Sequence, residues 1–198
     1  SHVVGFGVFQ PGTALVIVSG ISLGPEAGFL VGATARFFIN FFAGQGPWTP
    51  WQMVCWGILG FLAGLIFNKV EIDKIKSRHF QIVAGPVICI IASLIAAYLF
   101  FLLFGKEDET FLGWRLYAFG AVGLIVGLLI QRKRLPVDDV TLSVFGFFST
   151  FIIYGGIMNI AAMVMASAIP ASNVGLDWGS LKLLYISGVP YDFAHGLA

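Results

Sequence analysis

Asp192 and His195 form the pair of side chains in this sequence with the clearest potential for proton chemistry. They stand three positions apart in the segment 188–195, so on a helix they would share one face. The pair could relay a proton, cap a helix or supply half of a metal site. Because no further His or Cys stands beside it to complete a ligand set, neither a metal nor a cofactor is predicted. Pro190, just before the pair, is expected to break or begin a helix.

A second group of polar and aromatic side chains lies in the segment 45–52, Gln-Gly-Pro-Trp-Thr-Pro-Trp-Gln. Its two prolines fix the backbone φ angle and remove two N–H donors, and Pro50 is well placed to lead into a helix. Such a stiff loop suits stacking and hydrogen bonding to a flat polar ligand. The alternative is an interfacial belt, because tryptophan favours the headgroup region of a membrane. The side chains concerned are Gln45, Trp48, Thr49, Trp51 and Gln52.

The apolar run 27–43 carries a strong charge, Arg36, deep within it. Four small or polar residues recur there at every fourth position and so share one helical face, which would let another helix approach closely. They are Gly28, Gly32, Arg36 and Asn40. An arginine in mid-membrane costs about 2.5–3.5 kcal/mol on insertion scales. Arg36 therefore extends to the interface, pairs with Glu26 or Asp192, or contacts an anionic group of a ligand.

The apolar run 140–168 contains Tyr154, Gly155, Gly156 and Asn159. The two glycines allow close helix packing or a kink. Asn159 within a bilayer requires a hydrogen-bond partner, either on another helix or on a ligand.

Several catalytic signatures are absent from the sequence. It contains no Walker A phosphate loop, no His-Glu-x-x-His and no Gly-x-Ser-x-Gly. ATP hydrolysis by this chain is therefore not expected, and neither is zincin or serine-hydrolase chemistry. The net charge of +1 gives no overall field that would attract nucleic acid.

The composition predicts a membrane protein. Of 198 residues, 58% are hydrophobic and 11% charged, against about 25% charged in soluble domains. The apolar runs lack the alternation of a membrane barrel and therefore indicate helices. Both cysteines, Cys55 and Cys89, lie in such runs and are interpreted as buried apolar residues.

Apolar runs separated by polar or proline-rich loops predict an all-α transmembrane bundle that forms a single domain over 1–198. The runs are 13–23, 27–43, 51–67, 80–104, 115–130, 140–168 and 181 onward. The basic loops 68–79 and 131–135 are expected in the cytoplasm and the acidic loop 105–110 outside. The first run is short, because a straight crossing needs about 20 residues. The helices at both ends are expected to be truncated.

Several stretches resemble the substrate-binding (S) components of energy-coupling factor (ECF) vitamin transporters, especially the cobalamin-type branch. The most specific is Gln-Gly-Pro-Trp-Thr-Pro-Trp-Gln-Met at 45–53, preceded by Phe-Gln-Pro-x-Thr at 9–13 and Leu-Gly-Pro-x-Ala-Gly at 23–28. The resemblance resumes at 144–159 and at 188–195. It covers residues 9–67 and 136–198, so that 68–135 would be an inserted helical hairpin.

The resemblance implies a bundle of about six helices in the bacterial plasma membrane. Such a subunit captures a vitamin, with cobalamin expected first, and docks on a transmembrane coupling subunit and two cytoplasmic ATPases. The residues expected to line an outward-facing cavity are Gln10, Asn40, Gln45, Trp48, Thr49, Trp51, Gln52 and Asn159, with Arg36, Tyr154, Asp192 and His195 as further candidates. Two other functions stay open, an intramembrane enzyme that uses Asp192 and His195, and a structural scaffold.

Overall fold

The computed structural model describes residues 11–68, 79–104, 113–131, 135, 137, 139–170 and 172–197, which form helices joined by short connections. The helices are α1 (Pro11–Leu23), α2 (Pro25–Ala43), α3 (Thr49–Phe67), α4 (His79–Phe104), α5 (Trp114–Ile130), α6 (Asp139–Ser167) and α7 (Trp178–Leu197). This confirms the predicted all-α fold, and the apolar runs and the helices agree to within about three residues. Gln10 and the Lys and Arg residues of the three charged loops lie outside the described residues.

The first three helices pack together as one unit. Gly24 alone links α1 to α2, with φ of 97°, a left-handed conformation that favours glycine because it has no Cβ. Pro25 begins α2, where the missing N–H has no helical partner to lose. This tight connection returns α2 alongside α1, and both helices contact α3.

A seam of glycines brings the backbones of these three helices into contact. A Cβ atom at Gly28 would lie 2.7 Å from the Cα of Gly20 and 2.8 Å from the carbonyl carbon of Gly60. At Gly64 it would lie 2.6 Å from the Cα of Pro25. The predicted small face of the second helix is confirmed, since its buried residues are Gly28, Gly32, Arg36 and Asn40.

A hydrophobic core connects this unit to the remaining helices. Phe67 at the end of α3 meets Phe145 of α6 edge to face, with ring centroids 5.3 Å apart. Ile90 of α4 and Leu124 of α5 are buried in the same cluster. The α4–α5 pair is therefore attached to the rest of the bundle through side-chain packing in this core.

Helices α6 and α7 run in opposite directions. Asn159 of α6 lies against Gly188, and Phe147 lies against Gly196. Within α6 the residues Ser149–Tyr154 form a π-helical stretch. The prediction for Pro190 was wrong, because this residue lies inside α7 and neither breaks nor begins it. Membrane helices tolerate an interior proline where neighbouring groups satisfy the freed carbonyl.

The outer surface of the bundle is apolar. Phe42 is 96% exposed, and Leu15 and Leu30 are also exposed. Among the described helices, α3 and α6 are long and apolar enough to cross a bilayer. Cys55 is buried and unpaired, as predicted, whereas the side chain of Cys89 lies outside the described part of the chain.

Candidate ligand-binding site

The buried face of α2 places two polar side chains against the first turns of α3. The Nε of Arg36 donates to the Oε1 of Gln52 at 2.9 Å. The Nδ2 of Asn40 donates to the same oxygen at 3.0 Å and to the Oγ1 of Thr49 at 3.0 Å. The backbone N–H of Gly46 completes the set by donating to Thr49 at 3.2 Å. Two helices and the loop between them are thus joined by one connected network.

The guanidinium of Arg36 lies over the indole of Trp56, one turn further along α3, with 5.1 Å between its Cζ and the ring centroid. Arg36 is only 8% exposed and Trp56 is buried. A cation over a desolvated indole contributes about 2 kcal/mol. The network and the indole together fix the orientation of this charged side chain inside an apolar bundle.

Helices α6 and α7 add two rings to this group. Tyr154 is buried in one hydrophobic cluster with Trp56. The ring of His195 stacks on Tyr154 with centroids 4.9 Å apart and an interplanar angle of 9°. The Nδ1 of His195 is buried and has no hydrogen-bond partner among the described residues. We refer to this set as the Arg36 cluster, and it comprises Arg36, Asn40, Thr49, Gln52, Trp56, Tyr154 and His195.

A second set, the Asp192 cluster, comprises Asp192, Tyr117 and Asn159. The Oδ2 of Asp192 accepts from the hydroxyl of Tyr117 at 2.5 Å and from the Nδ2 of Asn159 at 2.8 Å. Gly155 faces Asp192, and a Cβ there would lie 2.7 Å from the carboxyl carbon. The pairing of Arg36 with Glu26 or Asp192 is not observed among the described residues, and Asp192 and His195 form no hydrogen bond with each other. Within these residues no group of three potential metal ligands occurs.

The predicted site residues thus divide into three groups. Asn40, Thr49 and Gln52 are joined in one hydrogen-bond network, whereas Asn159 donates to Asp192. Gln45 is exposed and donates to the backbone oxygen of Phe37 at 3.1 Å. Trp48 is 39% exposed, and its ring folds over Gly46. Trp51 is partly buried outside both clusters, and Gln10 lies outside the described residues.

A cavity of about 560 Å³ lies between α3, α5, α6 and α7. Its wall is apolar and aromatic, and none of the predicted site residues lines it. Tyr117 and Tyr185 pack with centroids 4.9 Å apart, and Trp114 and Trp178 with centroids 5.2 Å apart. Sequence reasoning missed these residues and Trp56. The one available signal was that a tryptophan stands at the start of both α5 and α7.

Comparison with known proteins gives the chain its family. A family model described as "ECF-type riboflavin transporter, S component" matches residues 3–112, more than half of the chain. Two UPF0397 proteins of Aliivibrio fischeri, from strains MJ11 and ATCC 700601 / ES114, are each 30% identical over 109 residues, which is 55% of this chain and 55% of the relative. The chain therefore spans about half the length of these curated relatives. No solved structure matches it.

The resemblance to an S component is confirmed by the family match, but the matching family is named for riboflavin and not for cobalamin. Its stretch includes α1 to α4 and so contains the α2–α3 part of the Arg36 cluster. The chain belongs to the family of ECF-type riboflavin transporter S components.

Proposed function

We propose that this protein is a multi-pass subunit of the bacterial plasma membrane that captures a vitamin from outside and has no catalytic activity of its own. The observation that carries the proposal is the Arg36 cluster. It gathers amide, hydroxyl and aromatic groups inside a bundle whose surroundings are apolar. A few converging polar groups beside aromatic rings are typical of small-molecule sites.

Riboflavin is the first substrate to test, because the matching family is named for it. Its ring system is flat and carries carbonyl and N–H groups along one edge. Gln52 and Asn40 can exchange hydrogen bonds with such an edge, and the more accessible rings of Trp48 and Trp51 can stack on its faces. Cobalamin, the earlier expectation, is several times larger and is kept as a second ligand in the experiment.

For the wider site we propose the residues that were expected from the sequence to line an outward-facing cavity. They are Gln10, Asn40, Gln45, Trp48, Thr49, Trp51, Gln52 and Asn159. Trp48 and Gln45 would reach the ligand if the loop 44–48 closes over it. Both side chains are exposed and are therefore accessible to a ligand that arrives from outside.

The partners proposed are those of the family. A transmembrane coupling subunit and two cytoplasmic ATPases would hydrolyse ATP and so drive release of the vitamin inside the cell. The chain has no phosphate loop of its own, so energy has to come from such partners. In this proposal residues 68–135 form a hairpin inserted into a single transmembrane domain.

The test uses the full-length protein, purified in mild detergent from cells grown in rich medium. Native mass spectrometry would identify a co-purified vitamin, and titration with riboflavin and with cobalamin would measure affinity. Gln52→Leu removes the acceptor shared by Arg36 and Asn40, so we expect a loss of affinity of about 10- to 100-fold.

Thr34→Ala serves as the matched control. Thr34 lies on the same helix as Arg36 but is exposed, and its hydroxyl bonds only to backbone oxygens of its own helix. This variant should bind like the wild type. Wild-type protein that carries no vitamin and binds neither riboflavin nor cobalamin would contradict the proposal.

A further inference from the structure

Arg36 is a buried cation without a paired anion in the described part of the chain. Among the described residues, Arg36 donates one hydrogen bond, from Nε to Gln52. Its two terminal nitrogens, Nη1 and Nη2, donate none to these residues. Asp192, the buried carboxylate that could have balanced the charge, already accepts hydrogen bonds from Tyr117 and Asn159. Buried charges are normally paired, so this guanidinium needs a further explanation.

His195 supplies a second unused polar atom in the same cluster. It is 7% exposed, and its Nδ1 has no partner among the described residues. Trp56, which lies under the guanidinium of Arg36, shares a buried cluster with Tyr154, and His195 stacks on Tyr154, so that contacts between rings connect the imidazole to the guanidinium. A buried ring nitrogen without a hydrogen bond is uncommon, and here it belongs to the same cluster as the unused donors of Arg36.

We propose that Arg36 and His195 together bind one anionic group of the transported ligand, a carboxylate or a phosphate. The inference rests on the proposed function and narrows its substrate class. A guanidinium whose Nε is occupied can still offer Nη1 and Nη2 to two oxygens of one anion. The Nδ1 of His195, carrying the imidazole proton, donates a third hydrogen bond.

The neighbouring residues hold these donors in place before the ligand arrives. Gln52 fixes the Nε edge of the guanidinium, and Trp56 supports its face. The imidazole is fixed by its stack on Tyr154. Donors that are already oriented lose little conformational entropy on binding, which favours a specific anion over solvent.

The experiment compares riboflavin with riboflavin 5′-phosphate, two ligands that share a ring system and differ by one phosphate. The full-length protein in detergent is titrated with each, and quenching of flavin fluorescence reports binding. We expect the phosphate to bind at least about 10-fold more tightly, a preference typical of charge-assisted hydrogen bonds. Arg36→Gln, which keeps a hydrogen-bonding side chain beside Gln52, should abolish the preference. His195→Phe, which keeps the stack on Tyr154, should reduce it, and Thr34→Ala should preserve it.

Each result separates this inference from the function on which it rests. Equal affinities for both flavins, or a preference that survives in Arg36→Gln, would overturn the anion site and leave vitamin capture standing. If neither flavin binds, riboflavin is excluded as substrate, and thermal unfolding in acetate or phosphate at matched ionic strength decides the anion site. Stabilisation of wild type and Thr34→Ala but not of Arg36→Gln would support it. Equal stabilisation of all three proteins, or none, would refute it.

Discussion

Replacing Gly28 by alanine tests whether the glycine seam sets the geometry of the first three helices. The new methyl group would lie 2.7 Å from the Cα of Gly20 and 2.8 Å from the carbonyl carbon of Gly60, whereas ordinary van der Waals contact begins at 3.4 Å. Both neighbours are backbone atoms and cannot rotate away. The carbonyl oxygen of Gly60 lies closer still, so the helices must separate by at least about 0.7 Å, and overpacking of this kind costs about 1–3 kcal/mol.

The intrinsic preference of alanine for helices works in the opposite direction, by about 1 kcal/mol. The net expectation for Gly28→Ala is a loss of up to about 2 kcal/mol, seen as a lower midpoint of thermal unfolding in detergent. Gly146→Ala on α6 is the matched control, because the nearest side-chain atom there is the Cδ1 of Ile17 at 3.5 Å. That variant should be neutral or more stable than wild type. If Gly28→Ala proves as stable as Gly146→Ala, the close approach of the backbones is refuted.

Two further substitutions test single contacts. Tyr117→Phe removes one of the two side-chain donors to buried Asp192 and should cost about 1–3 kcal/mol in thermal unfolding. The cost for Tyr185→Phe, whose hydroxyl donates to the backbone oxygen of Gly156, should be smaller, and the reverse order would contradict the Asp192 cluster. Asp177 accepts from the backbone and hydroxyl of Ser180 at the start of α7, and these bonds lower the pKa of its carboxyl. Asp177→Ala should therefore lower the unfolding midpoint at neutral pH. The difference from wild type should vanish as the pH falls through the lowered pKa, and a difference independent of pH would exclude the charged cap.

The helices of this protein were predictable from sequence because their limits are local. Apolar runs end at Gly24 and Gly44, and prolines stand at the starts of α2 and α3. The buried face of α2 was predictable too, since residues at every fourth position share a face whatever the helix packs against. The effect of Pro190 could not be predicted from the sequence, because a proline breaks a helix or is accommodated in it according to whether neighbouring groups satisfy the freed carbonyl.

The candidate site was only partly predictable, because its contacts join distant segments. Tyr117 and Asp192 are 75 positions apart, and no local pattern indicates that α5 and α7 meet there. Asn159 was expected to line the same cavity as the residues of the loop 45–52. Its side chain instead points from α6 towards Asp192 and donates a hydrogen bond to it. Gln45 and Trp48 were predicted to contact a ligand because an amide and an indole suit a flat polar molecule. Both side chains are exposed in the loop. Spacing determines which side chains share a helix face, whereas packing determines what that face meets.

The arrangement of α7 argues against a proton relay between Asp192 and His195. Although the two residues share a helix face, they belong to different clusters, since Asp192 accepts from Tyr117 and Asn159 while His195 stacks on Tyr154. General acid–base catalysis requires direct contact or one bridging water between the partners. A carboxylate with two donors already bound is better suited to fixing α5, α6 and α7 relative to one another. An imidazole with an unused nitrogen is better suited to meeting a ligand. Substitution of Asp192 should therefore mainly lower the stability of the fold, whereas substitution of His195 should mainly lower the affinity for the ligand. An enzyme that used both residues in one step would not show this division.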